Sequence, residues 1–257
     1  MLKRTLMIGL GVSLLALPAS AMNLQELIAK SLDARGGKDK ILAVNTAIVH
    51  GTMRMPNGVE APFTWKWKRP NKLRMDFTLG GMTGTQAYDG KTGWMVMPFQ
   101  SGSTDPEKMT EEATQGMEEQ ADFDGPFIDT EKKGYKVELV DEKPVTVEGT
   151  EAYKVKVTNK FGDVTYQYID TEYFLTFKED GKRTVHGQDI EFEISLGDYK
   201  KVDGLLFPFS TQSKRKGSEQ GQSITFDKVE LGTKIDDAEF AMPEPKPTPA
   251  PEGEKQK

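Results

Sequence analysis

The chain has 257 residues, long enough to bury an apolar core, and its net charge of −6 argues against binding to nucleic acid or to anionic lipid surfaces. It has no cysteine and only two histidines, which excludes a disulfide framework and most zinc sites. It also lacks a Gly-x-Ser-x-Gly elbow, a glycine-rich phosphate loop and a His-Glu-x-x-His helix. We therefore expect no catalytic residue, no metal and no cofactor.

The first elements in chain order are those of a secretory leader. Lys3 and Arg4 precede an apolar run over residues 6–17, and the small residues at 19–21 form a cleavage site. The run is shorter than the ~20 residues that cross a bilayer, so a membrane anchor is the weaker alternative. We expect residues 1–21 to be a signal peptide cleaved after Ala21. That cleavage predicts a periplasmic protein without a transmembrane anchor.

Beyond the leader, apolar residues recur with a helical period over residues 24–32, and Gly36-Gly37 would end that helix. From Thr46 the period changes to two, which is typical of strands with one buried face. A first meander of such strands closes at Trp94 to Phe99. Its predicted inner face collects Val59, Ala61, Phe63, Trp65, Trp67, Leu73, Met75, Phe77 and Leu79.

A helical insertion, residues 106–133, interrupts the strands. Its helix is predicted from Glu107 to Gln120, with Asp105 as N-cap, and it contains few large apolar residues, so it should pack lightly. Strands then resume, with a turn expected at Glu179-Asp180-Gly181 and a bulge near Asp227-Lys228. The strand segments are near 136–141, 151–158, 163–169, 172–178, 187–199, 204–213 and 221–231.

These segments predict a mainly β fold. About 11–12 strands without β-α-β alternation favour a single, highly curved antiparallel sheet that forms an unclosed β-barrel. The N-terminal helix and the helical lid insertion would cover its concave face. Alternating prolines after residue 242 predict a disordered tail. The expected organisation is a signal peptide (1–21), an open β-barrel domain (22–242) and a Pro-rich tail (243–257).

The inner faces are rich in aromatic and methionine side chains, which suit a surface that accepts varied apolar ligands. Such residues also fill ordinary cores. Helices this poor in apolar residues would leave part of the concave face uncovered, however, so we expect an apolar ligand-binding cavity. Its candidate residues are Trp65, Trp67, Met75, Phe77, Trp94, Met97, Tyr166, Phe192 and Phe207.

Two acidic patterns carry weaker signals. Residues 120–131 nearly match a calcium loop, but Gln120 stands where the first acidic ligand belongs and a strand follows in place of a helix. Glu191 and Glu193 share the outward face of a predicted strand, which gives no catalytic pair without a cleft.

Five sequence segments are similar to those of a known protein family. They are LIAKSLDARGGKDKILAVNTAIVHGTM (27–53), AYDGKTGWMVMPF (87–99), ADFDGPFID (121–129), GDYKKVDGLLFPF (197–209) and DDAEFAMP (236–243). With the leader, this organisation resembles the outer-membrane lipoprotein-sorting proteins, the LolA-like periplasmic carriers. The similarity spans Asn23 to Pro243.

The resemblance implies an unclosed barrel with a helical lid over an apolar cavity. It implies a carrier that binds the acyl chains of lipoproteins or lipids and moves them towards the outer membrane without covalent chemistry. Its partners would be an inner-membrane donor and an outer-membrane acceptor. The alternative is an envelope sensor or scaffold on the same fold that binds a lipoprotein or protein partner. An enzyme on this fold is the weakest alternative, because no nucleophile motif is present.

Overall fold

The computed structural model describes residues 22–185 and 188–244, so the predicted signal peptide and most of the Pro-rich tail lie outside the described residues. The helices are α1 (Leu24–Ala34), α2 (Lys38–Ala43), α3 (Pro98–Ser101) and α4 (Glu111–Gln120). The first group of strands is β1 (Thr46–Arg54), β2 (Glu60–Lys68), β3 (Lys72–Leu79), β4 (Met82–Tyr88), β5 (Gly93–Val96) and β6 (Glu107–Lys108). The second is β7 (Lys136–Leu139), β8 (Val145–Val147), β9 (Thr150–Thr158), β10 (Val164–Asp170), β11 (Thr176–Val185), β12 (Gln188–Val202), β13 (Leu205–Arg215) and β14 (Gly221–Leu231).

All fourteen strands join one antiparallel sheet. Its order is β6-β5-β4-β3-β2-β1-β14-β13-β12-β11-β10-β9-β7, with β8 paired to β9. In the part of the chain that the structure describes, the edge strands β6 and β7 do not pair with each other, so the sheet is not closed. The prediction of a mainly β, unclosed barrel with an N-terminal helix is confirmed. The strands beyond the predicted number are the short β6 and β8.

Helix α1 defines the inner face of the sheet. Asn23 caps it by accepting a hydrogen bond from the backbone N–H of Glu26 at 2.9 Å. Its buried Leu27 and Leu32 belong to a core with Ile41 of α2 and with apolar residues of β9, β10 and β13. Because this core covers only part of the inner face, the aromatic residues of β2 and β3 lie outside it. The strand residues of this core are Val155, Val157, Ile169 and Leu205.

The register of β1, β2 and β3 confirms the predicted alternation. Phe63, Trp65 and Trp67 of β2 pair with Phe77, Met75 and Leu73 of β3, so all six share the inner face. The predicted bulge is also confirmed. His50 pairs with Lys228 while Gly51 pairs with Phe226, which leaves Asp227 as the extra residue.

Helix α4 is shorter than predicted. Thr110, not Asp105, is its N-cap, and its hydroxyl accepts a hydrogen bond from the N–H of Ala113 at 3.2 Å. Residues Glu107 and Lys108 instead form β6 by pairing with β5. The predicted insertion therefore contributes an edge strand, and the segment between the two edges is residues 109–135. We call this segment the bridging segment.

The predicted turn at Glu179-Asp180-Gly181 is wrong. These residues lie inside β11, and Gly181 pairs with Thr165 on one side and Phe192 on the other. A Cβ on Gly181 would lie 2.9 Å from the Phe192 ring and 2.5 Å from the carbonyl oxygen of Val164. The glycine is thus required by close packing inside the sheet and not by a turn.

The C-terminal segment 235–240 crosses the outer face of the sheet. Phe240 is fully buried there, and its carbonyl oxygen accepts a hydrogen bond from Trp94 Nε1 at 2.8 Å. Arg74 donates to the carbonyl oxygen of Glu239 at 2.8 Å, and Lys68 pairs with Asp237 at 2.7 Å. The outer face of β2–β5 is therefore covered by the chain itself. Among the described residues, no helix has the length and apolar character needed to span a bilayer.

Candidate ligand-binding site

A contiguous group of aromatic side chains lies on the inner face of β2, β3 and β14. The rings of Trp65 and Phe63 are 4.8 Å apart between centroids, those of Trp65 and Trp67 are 5.3 Å apart, and those of Trp65 and Phe226 are 5.8 Å apart. We call this group the aromatic wall. Its members are Phe63, Trp65, Trp67, Met75, Phe77 and Phe226.

The aromatic wall is only partly covered by protein. Phe63 is buried, but Trp65, Trp67, Met75 and Phe77 are only partly buried. The Trp65 indole nitrogen is itself buried and has no hydrogen-bond partner among the described residues. Large apolar side chains are normally buried in a protein. A contiguous group of partly exposed ones therefore has the character of a binding face.

Helix α4 ends on the aromatic wall. Trp67 Nε1 donates to the carbonyl oxygen of Gln120, the last residue of α4, at 2.9 Å. Met117 is the one buried residue of α4, and it packs with Leu73 and Tyr88. The helix therefore covers one side of the wall through few apolar contacts.

The other predicted site residues on the inner face lie around the wall. Phe207 of β13 packs against both inner cores, and its ring is 6.2 Å from that of Phe123 in the bridging segment. Phe192 lies farther round the sheet, over Gly181. Met97 is buried just after β5, as the N-cap of α3. Phe99 is not among the predicted site residues, although its ring lies 5.5 Å from that of Phe77.

Two predicted site residues, Trp94 and Tyr166, lie on the outer face of the sheet. Trp94 pairs with Ala87 while its neighbour Met95 pairs with Gln86, the residue opposite Met75, so Trp94 lies on the outer face against Phe240. Tyr166 also lies on the outer face, where the Lys154 ammonium is 4.2 Å from its ring centroid. The placement of Trp94 and Tyr166 in an inner cavity is therefore corrected, because strand register puts both on the opposite face.

An arginine fixes the second half of the bridging segment. Arg69, after β2, donates to both carboxylate oxygens of Asp124 at 2.6 and 2.9 Å, and to the carbonyl oxygens of Ile41 and Val44. Burial would raise the pKa of Asp124, but the hydrogen-bonded Arg69 guanidinium outweighs it and holds that pKa below its ordinary value. Arg35, after α1, adds a hydrogen bond to the Asp124 carbonyl oxygen at 3.4 Å.

Asp122 and Asp124 of the calcium-like loop are paired with cations. Lys133 donates to Asp122 at 2.6 Å and to the carbonyl oxygen of Gly125 at 2.9 Å. Burial raises the pKa of Asp122 despite this contact. Within residues 22–185 and 188–244, no group of three or more metal-ligating side chains is assembled. The loop thus holds the bridging segment in place through ion pairs.

Two cavities adjoin the bridging segment. One, of about 10 Å³, adjoins Trp67 and Phe123 and has room for about one water molecule. The other, of about 470 Å³, is lined by Asn71, by parts of residues 118–135 and by the β9–β10 turn at 159–161, which are mostly polar. Neither cavity is lined by Trp65, Met75 or Phe77 of the aromatic wall.

The inner face of β10–β12 is more polar than the wall. Gln167 and Glu179 pair across β10 and β11, and Gln167 Nε2 donates to Glu179 Oε1 at 3.1 Å. Burial, with a smaller contribution from the negative charge of Glu119, raises the pKa of Glu179 to about 7. Sequence reasoning missed this pair because it placed Glu179 in a turn.

No family model matches the chain, and no curated protein matches it in sequence. Solved structures do match. A structure described as an outer membrane lipoprotein-sorting protein domain from Vibrio parahaemolyticus has 10% identity and a TM-score of 0.57, over 83% of this chain and 94% of that one. A DUF1329 family protein from Desulfovibrio piger has 12% identity and a TM-score of 0.59, over 84% and 96%.

A LolA superfamily protein from Nitrosomonas europaea has 13% identity and a TM-score of 0.55, over 83% of this chain and 96% of that one. At such identities the similarity establishes the fold alone. The chain has the LolA-like fold.

Proposed function

We propose that the protein is a periplasmic carrier that holds the acyl chain of a lipid or lipoprotein against the aromatic wall and moves it towards the outer membrane. The observation that carries this proposal is the row of partly exposed aromatic side chains on the inner face. The predicted signal peptide supports a periplasmic location. One structure of the same fold is described as a lipoprotein-sorting domain, which agrees with this function. No step of this function makes or breaks a covalent bond.

The energetics are adequate for a carrier. Burial of an acyl chain contributes ~0.8 kcal/mol per methylene, so about ten methylenes would contribute roughly 8 kcal/mol before the entropic cost of binding. What remains after that cost corresponds to an affinity weaker than about 1 μM. Such an affinity allows a cargo to be both held and released, and we propose an inner-membrane donor and an outer-membrane acceptor as the classes of partner.

Helix α4 is the element that we propose moves when a chain enters. It buries only Met117, and the hydrogen bond from Trp67 to Gln120 holds its end. The following residues are held by the bidentate Arg69–Asp124 pair, so they should stay in place. Elements with few buried apolar contacts open at low free-energy cost.

Native mass spectrometry of the mature protein, purified from periplasm without detergent, tests the proposal. An acyl species bound at a fixed ratio is the expected result. The double variant Trp65→Ser/Phe77→Ser should lose that species and should no longer bind a fluorescent fatty-acid probe. Tyr166→Ser is the matched control, because it removes an aromatic ring from the outer face of the same sheet.

One observation favours the scaffold alternative. The cavity beside Trp67 has room for about one water molecule and not for an acyl chain. If the aromatic wall is simply a core, the purified protein should be free of lipid and should not bind the probe. Full binding by the double variant would also refute the assignment of these residues. If the purified protein is free of lipid and does not bind the probe, we would conclude that it is a sensor or scaffold that binds a protein partner.

A further inference from the structure

Two methionine side chains attach helix α4 to the sheet. Met117 is the one large apolar residue in α4 (Glu111–Gln120), and it is only 5% exposed where it packs with Leu73 and Tyr88. Met109, just before the helix, packs against the same cluster and is partly buried. The apolar attachment of this helix therefore depends on two thioether sulfur atoms.

Met109 lies directly over the backbone of β5. Its N–H donates to the carbonyl oxygen of Gly93 at 2.9 Å. A Cβ on Gly93 would lie 3.1 Å from Met109 Sδ and 2.8 Å from the hydroxyl oxygen of Thr114 in α4. Because Gly93 has no side chain, both Met109 and α4 approach the strand closely. An oxygen atom added to this sulfur finds no free space on the side of the strand.

The polar contacts of α4 are weaker attachments. Besides the hydrogen bond from Trp67 to its last residue, Glu118 pairs with Lys160 at 2.6 Å, and the Lys160 side chain is 43% exposed. Glu119 accepts a hydrogen bond from the Asn159 amide at 3.2 Å. Exposed ion pairs contribute little to stability. The position of α4 should therefore respond to a change at its methionine contacts.

Methionine is the sulfur chemistry that this chain offers. The sequence has no cysteine, so a mild oxidant acts on thioethers. Hydrogen peroxide converts a thioether to a sulfoxide: its O–O bond breaks, one oxygen atom bonds to sulfur, and the other leaves as water. The sulfur loses two electrons, and the peroxide gains them. The sulfoxide is polar, so it disrupts the apolar contacts that the thioether makes.

We propose that Met109 is an oxidation site, and that its conversion to the sulfoxide by a peroxide releases α4 from the sheet. Met117 is shielded while α4 is in place, so it is oxidised only after Met109. Any effect on cargo rests on the proposed function, because α4 covers one side of the aromatic wall. The oxidation site and the release of the helix do not depend on it.

Peptide mass spectrometry of the protein treated with hydrogen peroxide tests the order of oxidation. Met109 should gain one oxygen atom before Met117 does. Amide hydrogen exchange of the peptide over residues 111–121 then measures the release of α4. Exchange should become about tenfold faster after oxidation of Met109, a factor that corresponds to 1.4 kcal/mol. Both measurements use the wild type, so they need no variant to fold.

Variants assign the effect to one sulfur atom. Met109→Leu keeps an apolar side chain of similar volume, so peroxide should leave Met117 reduced and the exchange of α4 unchanged. Met109→Gln introduces a polar group without an oxidant and should speed that exchange as peroxide does in the wild type. Met82→Leu is the matched control, because Met82 is 44% exposed at the start of β4 and its loss should leave the response to peroxide intact.

The outcomes separate this inference from the proposed function. Oxidation of Met117 before Met109 would overturn it, and so would equal exchange of α4 in oxidised and untreated wild type. The same response to peroxide in Met109→Leu would also overturn it. Each of these results would leave the acyl carrier intact. Failure of the untreated protein to bind an acyl probe would overturn the carrier, whereas ordered oxidation with faster exchange would still support the oxidation site.

Discussion

Replacement of Arg69 by methionine should release the bridging segment. The Asp124 side chain is only 9% exposed and accepts two hydrogen bonds from Arg69, which also donates to two backbone carbonyl oxygens. Removing one partner of a buried ion pair costs 3–5 kcal/mol, and because the Arg69 side chain is 24% exposed we expect the lower end, about 3 kcal/mol.

The cost should depend on pH. In the wild type the pKa of Asp124 is lowered, so its contribution to stability is present above the pKa of the unfolded state and is lost as pH falls through the folded value. In Arg69→Met the buried carboxylate lacks its guanidinium, so its pKa should rise. Protonation then relieves the penalty, and the difference between the two proteins should shrink from pH 7 towards pH 4.

Urea unfolding, followed by tryptophan fluorescence at pH 7 and at pH 4, measures both effects. Lys30→Met is the control, because Lys30 and Glu26 form an exposed pair on α1, and it should change the free energy of unfolding by less than about 0.5 kcal/mol. The reasoning would be refuted by a loss below about 1 kcal/mol in Arg69→Met at pH 7, below the range for a buried pair. A loss that is the same at both pH values would contradict the role of the Asp124 charge.

Two further predictions concern packing. Phe240→Ala should lower the free energy of unfolding by about 4 kcal/mol, since its ring is fully buried, while acyl-probe binding in the folded protein stays unchanged because the residue lies on the outer face. Tyr173→Ala, at an exposed position, is its control, and equal losses in a denaturant titration would contradict the assignment. Gly51→Ala should cost about 1–3 kcal/mol, because the new Cβ would lie 2.3 Å from the Thr225 carbonyl oxygen and 2.7 Å from the Phe63 ring. Gly197→Ala meets no atom within 4 Å, so thermal unfolding should separate the two glycine variants, and equal midpoints would refute the steric argument.

The sequence was most informative where the period of two is unbroken. Phe63, Trp65 and Trp67 alternate with polar residues, so the pattern alone placed them on one face, and the pairing with β3 confirms it. The same reasoning failed for Trp94 because β5 is short and apolar on both faces. Trp94 packs against Phe240, from the far end of the chain, and no local pattern reveals such a contact.

Polar residues were harder to place than aromatic ones. Glu179-Asp180-Gly181 has the composition of a turn, and only the packing of Phe192 over Gly181 explains why the strand continues through it. Likewise Thr110 and Asp105 are both acceptable N-caps by residue type. The choice of Thr110 follows from the pairing of Glu107 and Lys108 with β5, which is a tertiary contact.

The place where β1 meets β14 has a consequence for folding kinetics. Each half of the sheet is built from neighbouring hairpins, so both halves can form through local contacts, whereas β1 and β14 come from opposite ends of the barrel sequence. Pairing of sequence-distant strands requires a large loop closure and slows folding. We therefore expect the joining of these two strands, with Val49 opposite Val229, to be the late and rate-limiting event, after two separate meanders have formed.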